Sequence, residues 1–276
     1  MRVRMLAYDN LNSPIHRLTG VTKLIFFLCW SVTAMITFDT RCLLVMFMLS
    51  LVIFKVSKVK LRDVSFVLML ILVFLLFNHI AIFLFSPLEG VEIYQTRHDL
   101  FHIAGPYTVT FEQVFYQCNI LLKYFTVIPM ALLFLLTTDP SEFAASLNRI
   151  GVNYKIAFSV SIAMRYIPDI QRDFQNIAFT SGARGIDLSR KEKLGKRIKN
   201  VFAILMPLIF TSLERIETIS AAMELRGFGR RRNRTWYSAR PFLRNDYLAL
   251  MLILLIVVVS MVVTFYEGSR FYSFLD

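Results

Sequence analysis

The sequence predicts an all-α integral membrane protein, with about five transmembrane helices and a cytoplasmic region of long amphipathic helices. Three observations predict it. Hydrophobic residues make up 56% of the 276-residue chain and its mean hydropathy is +0.57, more apolar surface than a water-soluble core of this length encloses. That apolar sequence is concentrated in five runs separated by polar segments. Of the 31 Lys and Arg, all but Arg41, Arg97, Lys123 and Arg270 fall before or at the start of the first run, in 55–62 or in 149–244, the asymmetry that orients membrane proteins. The net charge of +12 therefore follows a topology and does not indicate a nucleic-acid partner.

The stretch before the first apolar run lacks the charged, apolar and small-residue order of a secretory signal, so that run is read as a retained span. The runs occupy residues 21–38, 42–54, 66–85, 120–137 and 247–265, against about 20 residues needed to cross a hydrocarbon core of about 30 Å. The second is short, and the stems of Lys55, Lys58 and Lys60 extend it toward the interface. The alternative for this run is a re-entrant or interfacial segment. With the N-terminus inside, the Lys and Arg at 55–62 and 149–244 fall on the cytoplasmic side and the C-terminus is extracytoplasmic. The expected division is a membrane part with four spans at 1–138, a cytoplasmic region at 139–243 and a final transmembrane helix at 244–276.

Between the third and fourth spans, Pro87, Gly90, Gly105 and Pro106 predict an external loop with room for a short hairpin. His98 and His102, near Glu89, Glu92 and Asp99, have a metal-ligand spacing only on a helix; the loop signals oppose one, so no metal site is assigned. Asn78, His79 and Lys123 share a depth along their spans, and intramembrane polar groups either satisfy one another, snorkel outward or line a path for protons or substrate. Cys29, Cys42 and Cys118 have no disulfide or zinc spacing and read as small membrane-facing side chains.

The cytoplasmic region carries helix signals. Asp139, Pro140 and Glu142 supply an N-cap, a proline at the first helical position and an acidic first turn, for a short helix ending at Gly151. A longer helix is expected over 154–183 with Pro168 inside it. Another is expected over 189–226, where Ile198, Val201, Phe202, Leu205, Leu208 and Ile209 begin a mostly apolar face that continues through Met223. Such a helix of about 38 residues would run about 57 Å. Lys191, Lys193, Lys196, Arg197 and Lys199 suit anionic lipid headgroups, while the apolar face suits the lipid interface, a partner helix or the preceding helix of this chain. Arg230, Arg231, Arg232 and Arg234, with Trp236 and Tyr237, are read as gripping anionic lipid before the last span.

Both long helices end alike: Ala183-Arg184-Gly185 closes the first and Leu225-Arg226-Gly227 the second. Each glycine suits the left-handed position just beyond a helix C-terminus, which holds the preceding arginine at the tip. The helix dipole by itself favours a cation there by a few tenths to about 1 kcal/mol. A matched pair in one cytoplasmic region suggests two plugs for two equivalent sockets, and the planar guanidinium suits a carboxylate or an aromatic face. The chain has no Gly-x-x-x-x-Gly-Lys-Ser/Thr loop, so any nucleotide chemistry would belong to a partner.

On Ala183-Arg184-Gly185, on Ala222-Met223-Glu224-Leu225-Arg226-Gly227-Phe228-Gly229, on Arg165-Tyr166-Ile167-Pro168 and on Ser13-Pro14-Ile15-His16-Arg17-Leu18 with Thr22-Lys23-Leu24, the chain resembles the transmembrane T components of energy-coupling factor transporters. The resemblance covers nearly the whole chain. It implies a nonenzymatic energy-coupling subunit of an ABC importer, without catalytic residues, cofactor or metal. Partners would be two ATP-binding cassette ATPase subunits, a substrate-binding membrane S component and anionic lipid. Ala183, Arg184, Gly185, Leu225, Arg226 and Gly227 would form the ATPase-coupling sites, and Leu205, Leu208 and Ile209 a platform for the S component. A vitamin or transition-metal ion would be taken up across a prokaryotic cell membrane. The rival classes are a membrane scaffold for soluble partners and a lipid-modifying enzyme, the latter lacking any convergent acid, base and metal ligands in the sequence.

Overall fold

The computed structural model describes residues 13–59, 61–104, 107–186, 194–230, 235–266 and 271. In chain order its elements are α1 (Gly20–Ile36), α2 (Thr40–Val56), α3 (Leu61–Phe85), α4 (Glu89–Tyr94), β1 (Asp99–Ala104), β2 (Tyr107–Thr110), α5 (Phe111–Thr137), α6 (Pro140–Arg149), α7 (Tyr154–Ala183), α8 (Leu194–Leu225) and α9 (Arg244–Tyr266). They fall into two compact units, one formed by Pro140–Ala239 and the other by the sequence on either side.

In the flanking unit each of the five apolar runs forms a helix, α1, α2, α3, α5 and α9. Val64–Phe85, Phe111–Thr137 and Arg244–Tyr266 are long and apolar enough to cross a membrane. Helices α1 and α2 have 17 residues each, or about 26 Å. Asp39 starts α2: its carboxylate accepts the Arg41 backbone N–H at 2.9 Å and pairs with the guanidinium at 3.0 Å. Trp30 and Ala34 of α1, Leu43 and Met46 of α2, Met130 of α5 and Ile253 of α9 form the buried core. Cys42 is buried in this bundle instead of facing lipid, Cys29 is half-buried and Cys118 exposed, and all three are free thiols.

Polar contacts set the order of the layers. Helices α1 and α9 run parallel, because Thr22 meets Asp246 at one end and Thr37 meets Thr264 at the other. Helix α5 runs against them: Lys23 donates to the Thr137 carbonyl at 2.6 Å, and Lys123 donates to the Met35 carbonyl at 2.8 Å. The first turns of α5 therefore project beyond the α1–α2 turn, where α4 and the hairpin pack. The Gly90 N–H donates to Gln113 Oε1 at 2.8 Å, and Gln113 Nε2 donates to the Ser86 carbonyl at 3.1 Å. A Cβ on Gly90 would stand 2.5 Å from the Glu112 backbone, so only glycine fits this approach.

The expected external loop thus contains a short helix and an antiparallel hairpin, in which Asp99 pairs with Thr110 and His102 with Thr108. Gly105 and Pro106 lie outside the described residues. No helix brings His98 and His102 together. His98 Nδ1 is 2.7 Å from buried Glu112, and His102 Nδ1 is 2.9 Å from Thr108 Oγ1. Among the described residues no three His, Cys, Asp or Glu cluster as metal ligands.

In the unit Pro140–Ala239, α6 starts on Pro140 and its exit passes through Gly151 at φ +106°. Asn153 then caps α7, its side chain accepting the Lys155 N–H at 2.9 Å. Helix α7 has 30 residues with Pro168 inside, and α8 has 32 with Pro207 inside. Ser189, Lys191 and Lys193 lie outside the described residues, so the described α8 measures about 48 Å against the expected 57 Å. Arg215 of α8 holds Asp173 of α7 at 2.6 Å and lies 5.9 Å from the Tyr166 ring.

Candidate functional site

The two arginine tips share one backbone geometry. At the end of α7 the Gly185 N–H donates to the Gly182 carbonyl and the Ile186 N–H to the Ser181 carbonyl, both at 3.0 Å. At the end of α8 the Gly227 N–H donates to the Glu224 carbonyl at 2.8 Å and the Phe228 N–H to the Met223 carbonyl at 2.9 Å. These are the paired bonds of a Schellman cap, and they need the positive φ of Gly185 (+82°) and Gly227 (+65°). Arg184 and Arg226 occupy the same cap position and are exposed, as is Ala183, and Leu225 is 90% exposed. Each arginine thus stands at a helix terminus beside a small or apolar neighbour.

The tips stand at opposite ends of one helix. Arg184 closes α7. Phe228, two residues beyond Arg226, packs on Phe158 in the second turn of α7, with ring centroids 4.8 Å apart. The rise of α7 between those ends is about 40 Å. The two arginines are therefore too far apart to be reached by one side chain.

The proposed platform residues stand at i, i+3 and i+4 of α8 but differ in burial. Leu208 is 9% exposed and its neighbour one turn back, Ile204, is fully buried; Leu205 is half-buried and Ile209 is 49% exposed. Phe202, Phe210, Leu213 and Ile216 are exposed with Ile209. Beside them, Ile162, Tyr166 and Ile170 of α7 and Ser212, Ile216 and Met223 of α8 line a cleft of about 290 Å³.

Of the intramembrane polar residues, Lys123 is accounted for within the bundle. Besides the Met35 carbonyl it lies over the Phe38 ring, 3.1 Å from the centroid. His79 is level with Gln117, whose Nε2 donates to the His79 carbonyl at 3.4 Å, so it does not pair with Lys123. Asn78 Oδ1 and both ring nitrogens of His79 are buried without a hydrogen-bond partner. Arg231, Arg232, Asn233 and Arg234 lie outside the described residues.

Two groups of residues were not anticipated. Trp236, read as a lipid-facing neighbour of the basic run, instead donates its Nε1–H to Asn148 Oδ1 at 3.0 Å and packs with Tyr154 and Phe158. Asp246 is fully buried at the start of α9 and accepts four hydrogen bonds, from the Thr19 N–H and hydroxyl, the Thr22 hydroxyl and the Leu243 N–H, at 2.8–3.0 Å. The aspartate at the head of an apolar run was the available signal for the second group. The first had none, because its members are far apart in sequence.

The sequence profile of the Cobalt transport protein (CbiQ) family matches residues 11–237. The chain is similar to the Energy-coupling factor transporter transmembrane protein EcfT of Exiguobacterium sibiricum, 25% identical across 93% of this chain and 96% of the relative. The protein of the same name from Leuconostoc gelidum is 29% identical across 76% and 80% of the two chains, and that of Staphylococcus aureus 24% identical across 94% and 96%.

Proposed function

The chain belongs to the Cobalt transport protein (CbiQ) family, as the transmembrane T component of an energy-coupling factor transporter, and on that premise we propose that it joins two cytoplasmic ATP-binding cassette ATPases to a substrate-binding S component. The observation that carries this reading is the pair of matched arginine tips at opposite ends of α7. Two equivalent tips about 40 Å apart suit two equivalent subunits better than one partner with a single cleft. The S component brings the substrate, a vitamin or a transition-metal ion. The chain itself performs no catalysis; ATP hydrolysis belongs to the partners.

In this mechanism each ATPase receives one tip in a groove lined by a carboxylate or an aromatic face, to which the guanidinium fork is matched. Closure of the ATPase dimer on ATP displaces the tips. Because α7 and α8 are tied by Asp173–Arg215, displacement of the tips becomes displacement of the helices, and the exposed apolar face around Ile209 carries it to the S component. The Arg226 side contributes Leu225 to the ATPase contact, and the Arg184 side the close approach allowed by Ala183. Lys196, Lys199 and Arg230 meet anionic lipid.

Copurification of the intact chain from its own membrane, followed by identification and counting of the bound subunits, tests this. Two nucleotide-binding subunits and one further membrane protein are expected. A stable complex without any ATPase would favour the scaffold class instead.

A further inference from the structure

We infer that Phe228 is the positioning residue of the second coupling tip, held in an aromatic socket made by Tyr154, Phe158 and Trp236. Only Gly227 separates Phe228 from Arg226, and the Phe228 N–H makes the outer bond of the Schellman cap. The last turn of a helix frays unless something beyond it is anchored. Here the anchor is the Phe228 ring, 4.8 Å from Phe158 and 5.8 Å from Tyr154 between centroids.

The socket is itself braced by the turn between α6 and α7. Trp236 packs 5.5 Å from Tyr154 between centroids, and its Nε1–H donates to Asn148 Oδ1 at 3.0 Å. Asn148 in turn donates from Nδ2 to the Val152 carbonyl at 3.0 Å, closing that turn. Tyr154 is buried directly after the Asn153 cap of α7. A continuous path therefore runs from the α6–α7 turn through Asn148 and Trp236, by way of the Tyr154 and Phe158 rings, to Phe228 and Arg226. After the first tip the equivalent residue is Ile186, which has no ring to stack. The two tips carry the same cap but are held differently: Arg184 rides on the end of α7, while Arg226 is tied back to its beginning.

This inference rests on the reading of Arg226 as an ATPase-coupling residue, and the test separates the two. In a background with Cys29, Cys42 and Cys118 replaced, Glu224→Cys reports the second tip and Thr180→Cys the first, each cross-linked to the ATPases in the assembled complex by a thiol-to-amine reagent. Phe228→Ala should lower the Glu224→Cys cross-link at least threefold and leave the Thr180→Cys cross-link unchanged, and Phe228→Tyr should restore the first. If Phe228→Ala does not accumulate, Phe228→Leu, which keeps bulk but loses stacking, is read in the same way. A purely structural role would lower both cross-links together, and that result, or an unchanged Glu224→Cys signal, overturns the proposal. Absence of either cross-link in the unmutated Phe228 background removes the coupling reading and this inference with it.

Discussion

At each arginine tip a glycine sets the local backbone geometry. Gly185 and Gly227 hold φ of +82° and +65°, where a β-branched side chain costs about 1–3 kcal/mol. Gly185→Val and Gly227→Val should therefore weaken ATPase retention in a detergent pull-down although both arginines keep their charge; full retention by both variants would mean that cap geometry is irrelevant. Gly90 is constrained by space instead of φ. With the Glu112 backbone 2.5 Å from where a methyl group would sit, Gly90→Ala should lower stability by about 1–3 kcal/mol, read as a clear fall in thermal midpoint of the purified protein. An unchanged midpoint would show that α4 can move off α5. The arginine tips were legible in the sequence because a helix cap is a local signal of adjacent residues. Trp236 was not, because its partners Asn148, Tyr154 and Phe158 lie about eighty residues away, and a tryptophan beside four arginines satisfies a lipid interface equally well.

The helices of the Pro140–Ala239 unit were legible in position and only partly in orientation. The sequence places a helix at 154–183, which are the bounds of α7. For α8 the apolar residues recur at one-, three- and four-residue steps, a stripe too wide to reveal which edge turns inward. The structure resolves the edge: Ile204 and Leu208 are buried and Ile209 is half exposed. Leu208→Gln should then destabilise the chain by burying an amide, at about 1–3 kcal/mol, whereas Ile209→Gln should leave thermal stability within about 0.5 kcal/mol and reduce S-component recovery. Equal loss of stability in both variants would remove Ile209 from the platform. The depth of Lys123 was misleading for a related reason. Counting along a span measures distance from the end of that helix, but α5 projects past the α1–α2 turn, so Lys123 reaches the Met35 carbonyl instead of His79.

At the scale of the whole molecule, the proposed function assigns one set of residues to the membrane and another to protein partners. The charge asymmetry predicts that Gln95→Cys, in the α4–hairpin connection, reacts with an impermeant thiol reagent in intact cells, and that Lys199→Cys reacts only after permeabilisation; labelling of Lys199→Cys in intact cells would reverse the orientation. Membrane class and helix order were readable from composition because each apolar run is a helix in its own right. The transported substrate was not readable, since in this account its contacts belong to the S component. The central claim, that each arginine tip holds one ATPase, is tested most directly by subunit counting in purified complexes carrying Arg184→Glu, Arg226→Glu or both. Reversal of a desolvated charge should cost about 2–5 kcal/mol, a loss of at least about thirtyfold in affinity at each site. The account predicts that each single variant retains fewer ATPase subunits than the parent and that the double variant retains none, with membrane insertion intact throughout. Parental ATPase content and transport in the double variant would contradict it.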